Sequence, residues 1–168
     1  RGAWESEARA RSATSGEWTG QFGPVTGRSG VAVGAPPWYT DAQEILDRGA
    51  RRIEVELKGQ PEVQAELLTV VGRIYIDLGL YEPAAAVLQP AIALRRRASG
   101  STRSAGLAAS LWALGQAQMG HGDMDAADVS LREALREAVT ANERDSPEVA
   151  RIQMSIAAVL RDRGRYDE

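Results

Sequence analysis

Apolar residues recur every three or four positions through most of the chain, and no segment alternates apolar and polar residues as a strand would. The first run is Ala42, Ile45, Leu46, Gly49, Ala50 and Ile53. It predicts a helix from Thr40 to about Leu57, with Thr40 and Gln43 at capping-box spacing. Lys58-Gly59-Gln60-Pro61 breaks it, and Pro61 suits the first turn of a second helix, where its missing N–H costs nothing. That helix carries Leu67, Leu68, Val71, Ile74, Tyr75 and Leu78 and stops at Gly79. Glu82-Pro83 opens a third, with Ala84, Val87, Leu88, Ala91, Ile92 and Leu94, before a turn at Ala98–Ser101. Pro90 inside it predicts a kink near Leu88–Pro90. A fourth helix has Leu107, Leu111, Leu114 and Ala117 and breaks at Gly120-His121-Gly122. A fifth has Ala126, Ala127, Leu131, Ala134, Leu135 and Val139. Ser146 caps a sixth, with Val149, Ile152, Ile156, Val159 and Leu160, which breaks at Gly164.

The helices repeat one another. Gly72, Tyr75, Gly79, Tyr81 and Ala84 recur in register as Gly115, Gln118, Gly122, Met124 and Ala127, then as Ala157, Leu160, Gly164 and Tyr166. Gly72 to Gly115 is 43 residues and Gly115 to Ala157 is 42. A period in the range of about 20–50 residues means stacked units that bury their cores against neighbours. Small residues at helix crossings let two axes approach closely, and a glycine at a helix end can take the left-handed conformation that reverses the chain.

Residues 1–39 lack this texture. Seven glycines, Pro24, Pro36 and Pro37 interrupt them, and no hydrophobic period is sustained. Such a stretch is expected to be a disordered tail. Trp4, Trp18, Phe22 and Trp38 leave three readings of it open: a linker, a docking motif, or an out-of-frame stretch of a GC-rich gene.

The repeated residues resemble tetratricopeptide repeats over about 42–168, in which each unit is a hairpin of a helix A and a helix B. The resemblance implies an all-α, right-handed solenoid at 40–168, truncated after about two and a half units. It makes Gly72, Gly115 and Ala157 the close-contact sites on A helices, with Ala84 and Ala127 as their partners on B helices, and Gly79, Gly122 and Gly164 the turns. The spacing exceeds the usual repeat of about 34 residues and is similar to the kinesin-light-chain-like subclass. Ala42–Arg52, together with a repeat ending at Arg95-Arg96-Arg97, resembles regions C-terminal to bacterial serine/threonine kinase domains. On that reading the catalytic domain lies outside this chain.

The function implied is a non-catalytic scaffold that binds a peptide or helix on a concave face lined by the A helices: Thr69, Arg73 and Ile76; Trp112, Gln116 and Met119; Met154, Ala158 and Arg161. Trp112 is either an interaction anchor or a wedge against the adjacent A helix. The lysine/asparagine pattern that clamps a C-terminal carboxylate is absent. The alternative is a regulatory segment of a kinase. A third reading is self-association through the last A helix, with Ile152, Ile156 and Val159 exposed for want of a helix B.

Composition narrows the chemistry. A net charge of −3 gives no case for nucleic acid, and with Cys 0 there are no disulfides, no thiol catalysis and no common zinc set. His121, the single histidine, is expected to serve a turn, and Asp123 and Asp125 to favour a helix N-terminus rather than catalysis or metal. Gly27-Arg28-Ser29-Gly30-Val31-Ala32-Val33-Gly34 is a chance glycine pattern without nucleotide-loop spacing. Arg95-Arg96-Arg97 reads either as dipole complement or as an anion contact. The longest apolar stretch, Ala84–Leu94, is interrupted and too short to span a bilayer. No cofactor is expected, and the expected location is the cytoplasm. The alanine, glycine and arginine bias fits a GC-rich bacterial gene.

Overall fold

The computed structural model describes residues 37–98, 102–141 and 146–164. The expected tail, the Gly27–Gly34 pattern (numbers 27–34) and Tyr166 lie outside these, except for the tail's last residues. The described residues form six helices and no strand: α1 (Pro37–Glu56), α2 (Pro61–Asp77), α3 (Tyr81–Arg97), α4 (Thr102–His121), α5 (Met124–Ala141) and α6 (Pro147–Asp162). The fold is an all-α helical repeat. From Trp38 onward the chain forms one compact unit, Trp38–Glu168.

Helix ends follow local chemistry. α1 starts at Pro37, so Thr40 lies within its first turn and is not its cap. Proline fits there because the first turn's N–H groups have no intrahelical partner. Ser146 accepts from the Val149 N–H at 3.3 Å and caps α6. Asp123 accepts from the Ala126 N–H at 3.1 Å and caps α5. α3 runs as one helix through Pro90.

The A-to-B turns are built alike. Gly79, Gly122 and Gly164 have φ of 74°, 90° and 69°. The Gly79 N–H reaches the Ile76 carbonyl at 2.9 Å and the Leu80 N–H reaches that of Tyr75 at 2.8 Å. Gly122 to Met119 (3.0 Å) and Asp123 to Gln118 (2.9 Å) repeat the pattern. Each pair closes a helix end with a left-handed residue, a conformation that costs glycine little.

The crossings repeat as well. A Cβ on Gly72 would lie 2.6 Å from Leu88 Cγ, and one on Gly115 would lie 2.6 Å from Leu131 Cγ. The residues filling these spaces are therefore leucines one turn beyond Ala84 and Ala127, not the alanines themselves, although both alanines are fully buried. Ala157, in the third position of the series, is exposed. Among the described residues, nothing lies on it as Leu88 lies on Gly72.

α4 sits at the centre and touches α2, α3, α5 and α6. One core cluster joins α3 to α6 around Leu88, Leu111, Leu131 and Ile152. A second joins α1, α2 and α3 around Ala50, Leu68, Tyr75 and Ala84, and includes Ala117 of α4. Ile76 and Ala85 pack against both. α1 reaches this cluster through Ala50, with Leu46 and Ile53 packed beside it. Three positions read as core from their spacing are open: Ile45, Leu67 and Ile74 are 67%, 39% and 39% exposed.

Tyr75 is buried, and its phenol donates to Asp47 Oδ1 at 2.5 Å, tying α2 to α1. Burial first, then the bond to Asp47, raises its pKa above the ordinary value of 10.0. Above about pH 10 the unfolded phenol ionises while the folded one keeps its proton, so this group's contribution is full below that pH and is lost as pH rises further. Tyr75→Phe should cost about 1–3 kcal/mol at neutral pH. It should also flatten the alkaline fall in stability. Urea unfolding of both chains at pH 7 and pH 11 measures the two effects; parallel alkaline losses would refute the assignment.

Candidate functional site

The A helices α2, α4 and α6 present in-register positions, and the nine residues expected on one binding surface fall into three environments. Thr69, Trp112 and Met154 are equivalent by sequence but not by exposure. Thr69 is buried, its hydroxyl 2.8 Å from Ser110 Oγ and 2.7 Å from the Ala65 carbonyl. Trp112 is half-buried against the core, and its Nε1–H donates to Ser155 Oγ at 3.1 Å. The Arg151 guanidinium sits 5.9 Å from the Trp112 ring centroid. Met154 is 73% exposed.

The expectation that Thr69 and Trp112 line an open groove is thus corrected. The following A helix comes down on this position and uses it: Ser110 covers Thr69, and Ser155 covers Trp112. Of the two readings of Trp112, the wedge is the one the structure contains. Its indole N–H is taken by Ser155, and the Arg151 guanidinium lies near its ring.

Arg73, Gln116 and Ala158 share the next position round the helix, and they remain accessible: Arg73 is exposed and the other two half-buried. Ile76 and Met119 are half-buried and pack into the core, whereas Arg161 is exposed. The open side also includes residues that the repeat signature did not single out. Glu66, Ala109 and Arg151 stand seven residues before Arg73, Gln116 and Ala158, which is two turns along the same face. Glu66 and Arg151 are exposed and Ala109 half-buried. The seven-residue spacing was the signal that could have found them.

The charges on this side are partly engaged. Arg95 donates to Glu66 at 2.6 Å, and Arg96 to both oxygens of Glu133 at 2.7 and 2.9 Å. The arginine run therefore stitches α3 to α2 and α5 through partly exposed pairs, each worth about 0–1 kcal/mol. Among the described residues Arg73 has no ion-pair partner. At the other end of the stack Arg163 bonds Asp125 at 2.9 Å and Asp128 at 3.3 Å, joining α6 to α5.

His121 is exposed at its turn, and Asp123 is occupied as a cap. Among the described residues no group of three histidines, cysteines or acids could hold a metal ion. Among the described residues no helix is long and apolar enough to cross a membrane.

The hairpins, their shared turns and their open A-helix side define a helical-repeat protein. Residues 65–103 match the family model described as Tetratricopeptide repeat, which supports a tetratricopeptide-repeat family. The match covers α2 from Ala65, all of α3 and the start of α4. The α4/α5 hairpin repeats its geometry through Gly115, Leu131 and Gly122. No curated protein matches the chain. Repeats of this family are in general non-catalytic and support protein–protein interaction.

Proposed function

We propose that the chain is a scaffold binding a peptide or helix along the open side of α2, α4 and α6. The observation that carries this is one in-register row, Arg73, Gln116 and Ala158, exposed or half-buried, with Glu66, Ala109 and Arg151 beside it. Arg73 and Arg151 place positive charge at the two ends of the strip. Ala109, Gln116 and Ala158 form an uncharged middle with room for a backbone or an apolar side chain. The partner this fits has carboxylates flanking a short neutral segment.

Arg73→Glu combined with Gln116→Ala is expected to abolish recovery of the partner in an affinity pull-down with the purified chain. Thermal stability should change little, because Arg73 is exposed and neither residue belongs to a core cluster. Recovery equal to that of the unaltered chain would remove this face as the binding surface. Whether a kinase domain accompanies the repeat in a longer polypeptide is an expectation resting on the resemblance of residues 42–52 and 95–97; the upstream gene sequence tests it.

A further inference from the structure

Among the described residues, two faces of the helical stack are unfilled, and they are complementary. On α2, Val63, Leu67, Val70 and Ile74 form an apolar stripe, 46%, 39%, 45% and 39% exposed. Their counterparts on α4, 43 residues on, are Gly106, Ser110, Ala113 and Ala117. The last three are 0% exposed, because α2 lies over them. The counterparts of Leu67 and Ile74 on α6 are Ile152 and Val159, both 0% exposed. On α4 and α6 the counterparts of Leu67 and Ile74 are thus buried, whereas among the described residues those on α2 stay bare.

At the other end, the residue each A helix presses onto the next one's stripe is Thr69 on α2 and Trp112 on α4. The third in that series is Met154, which among the described residues presses on nothing. The expectation that Ile152, Ile156 and Val159 form an exposed face of α6 is corrected by the same comparison: they are 0%, 8% and 0% exposed, buried against the core. Among the described residues, the exposed surface of α6 is its other side, with Met154, Ala157 and Arg161.

We infer that α6 of one copy of this chain seats on the α2 stripe of a second copy, extending the stack head to tail with Met154 against Leu67 and Val70. The contact continues an interface the molecule already makes twice, α2 on α4 and α4 on α6. Charge agrees: Arg161, at the C-terminal end of α6, meets Asp77, at the C-terminal end of α2, in a stack whose A helices all run the same way. Knob and seat are different surfaces of one molecule, so the contact is heterologous and does not close on itself as a two-fold dimer would.

Sedimentation velocity on the 168-residue chain across a concentration series tests this. The unaltered chain should grow past dimer as concentration rises. Leu67→Glu and Met154→Glu should each weaken association at least about tenfold. Both sites are exposed, so helical circular dichroism should be retained. Mixed in equal amounts, the two variants should form a one-to-one dimer and nothing larger, because the mixture keeps one intact seat and one intact knob. Arg161→Asp should weaken association and the further change Asp77→Arg should restore it. A chain that stays monomeric at every concentration overturns the proposal. So does association lost with Leu67→Glu but untouched by Met154→Glu, which would mean that the stripe pairs with itself or takes another helix.

Discussion

Leu131→Ala is expected to lower the free energy of unfolding by about 2–5 kcal/mol. Leu131 is fully buried and fills the space in front of Gly115, where α4 and α5 cross. Removing it deletes buried apolar surface and leaves a cavity that two rigid helices cannot close. The more telling result concerns Gly115→Ala. Its new Cβ would lie 2.6 Å from Leu131 Cγ and Cδ2, closer than side chains tolerate, so in the unaltered chain the substitution overpacks the crossing. That costs about 1–3 kcal/mol, against a gain of about 1 kcal/mol in helix propensity. In the Leu131→Ala background the clash is gone and the propensity remains, so the same substitution should stabilise. A double-mutant cycle by urea unfolding measures the coupling, expected at about 1–3 kcal/mol. Additive effects would mean that the glycine is not at the crossing for reasons of space.

Trp112→Ala should cost about 3 kcal/mol, the low end for a large aromatic because the ring is only half-buried. The loss should be local. Trp112 ties α4 to α6 through Ser155 and packs under Arg151. Without it, α6 keeps its contacts to α5 through Val149 and the Arg163 ion pairs but loses its wedge against α4. Hydrogen exchange should therefore rise across α6 and stay unchanged in α1 and α2, whose buried residues belong to a separate cluster. Uniform loss of protection would show that the stack unfolds as one unit. The result also bears on binding assays: a Trp112→Ala chain that loses its partner has lost the position of α6 as well. Arg73 and Gln116 are the residues with which to probe the open face.

The two effects have one cause. Each unit buries its neighbour's surface rather than its own, so a residue's worth depends on the helix that comes next. Thr69, Trp112 and Met154 have one sequence position and three fates. The first is sealed by a serine, the second by a serine and a guanidinium, and the third is open. Leu67 and Ile74 fit a core pattern and stand in the open for the same reason, since no A helix precedes α2 among the described residues. Arg95 and Arg96 could have faced a ligand; instead they reach Glu66 and Glu133, acids 29 and 37 residues away in the chain.

What the amino-acid sequence determined was local and periodic. The six helices, the prolines and Ser146 at helix starts, the three left-handed glycines and the equivalence of Gly72 with Gly115 were legible, because each depends on backbone chemistry within a few residues or on a spacing that repeats. What only the tertiary structure decided was which side of each A helix is taken. It spent Thr69 and Trp112 on neighbours, buried Ile152, Ile156 and Val159, and left Arg73, Met154 and the Val63–Ile74 stripe in the open. Helical periodicity marks a face as apolar, but whether that face is covered depends on a helix about forty residues away, and no local interaction encodes it.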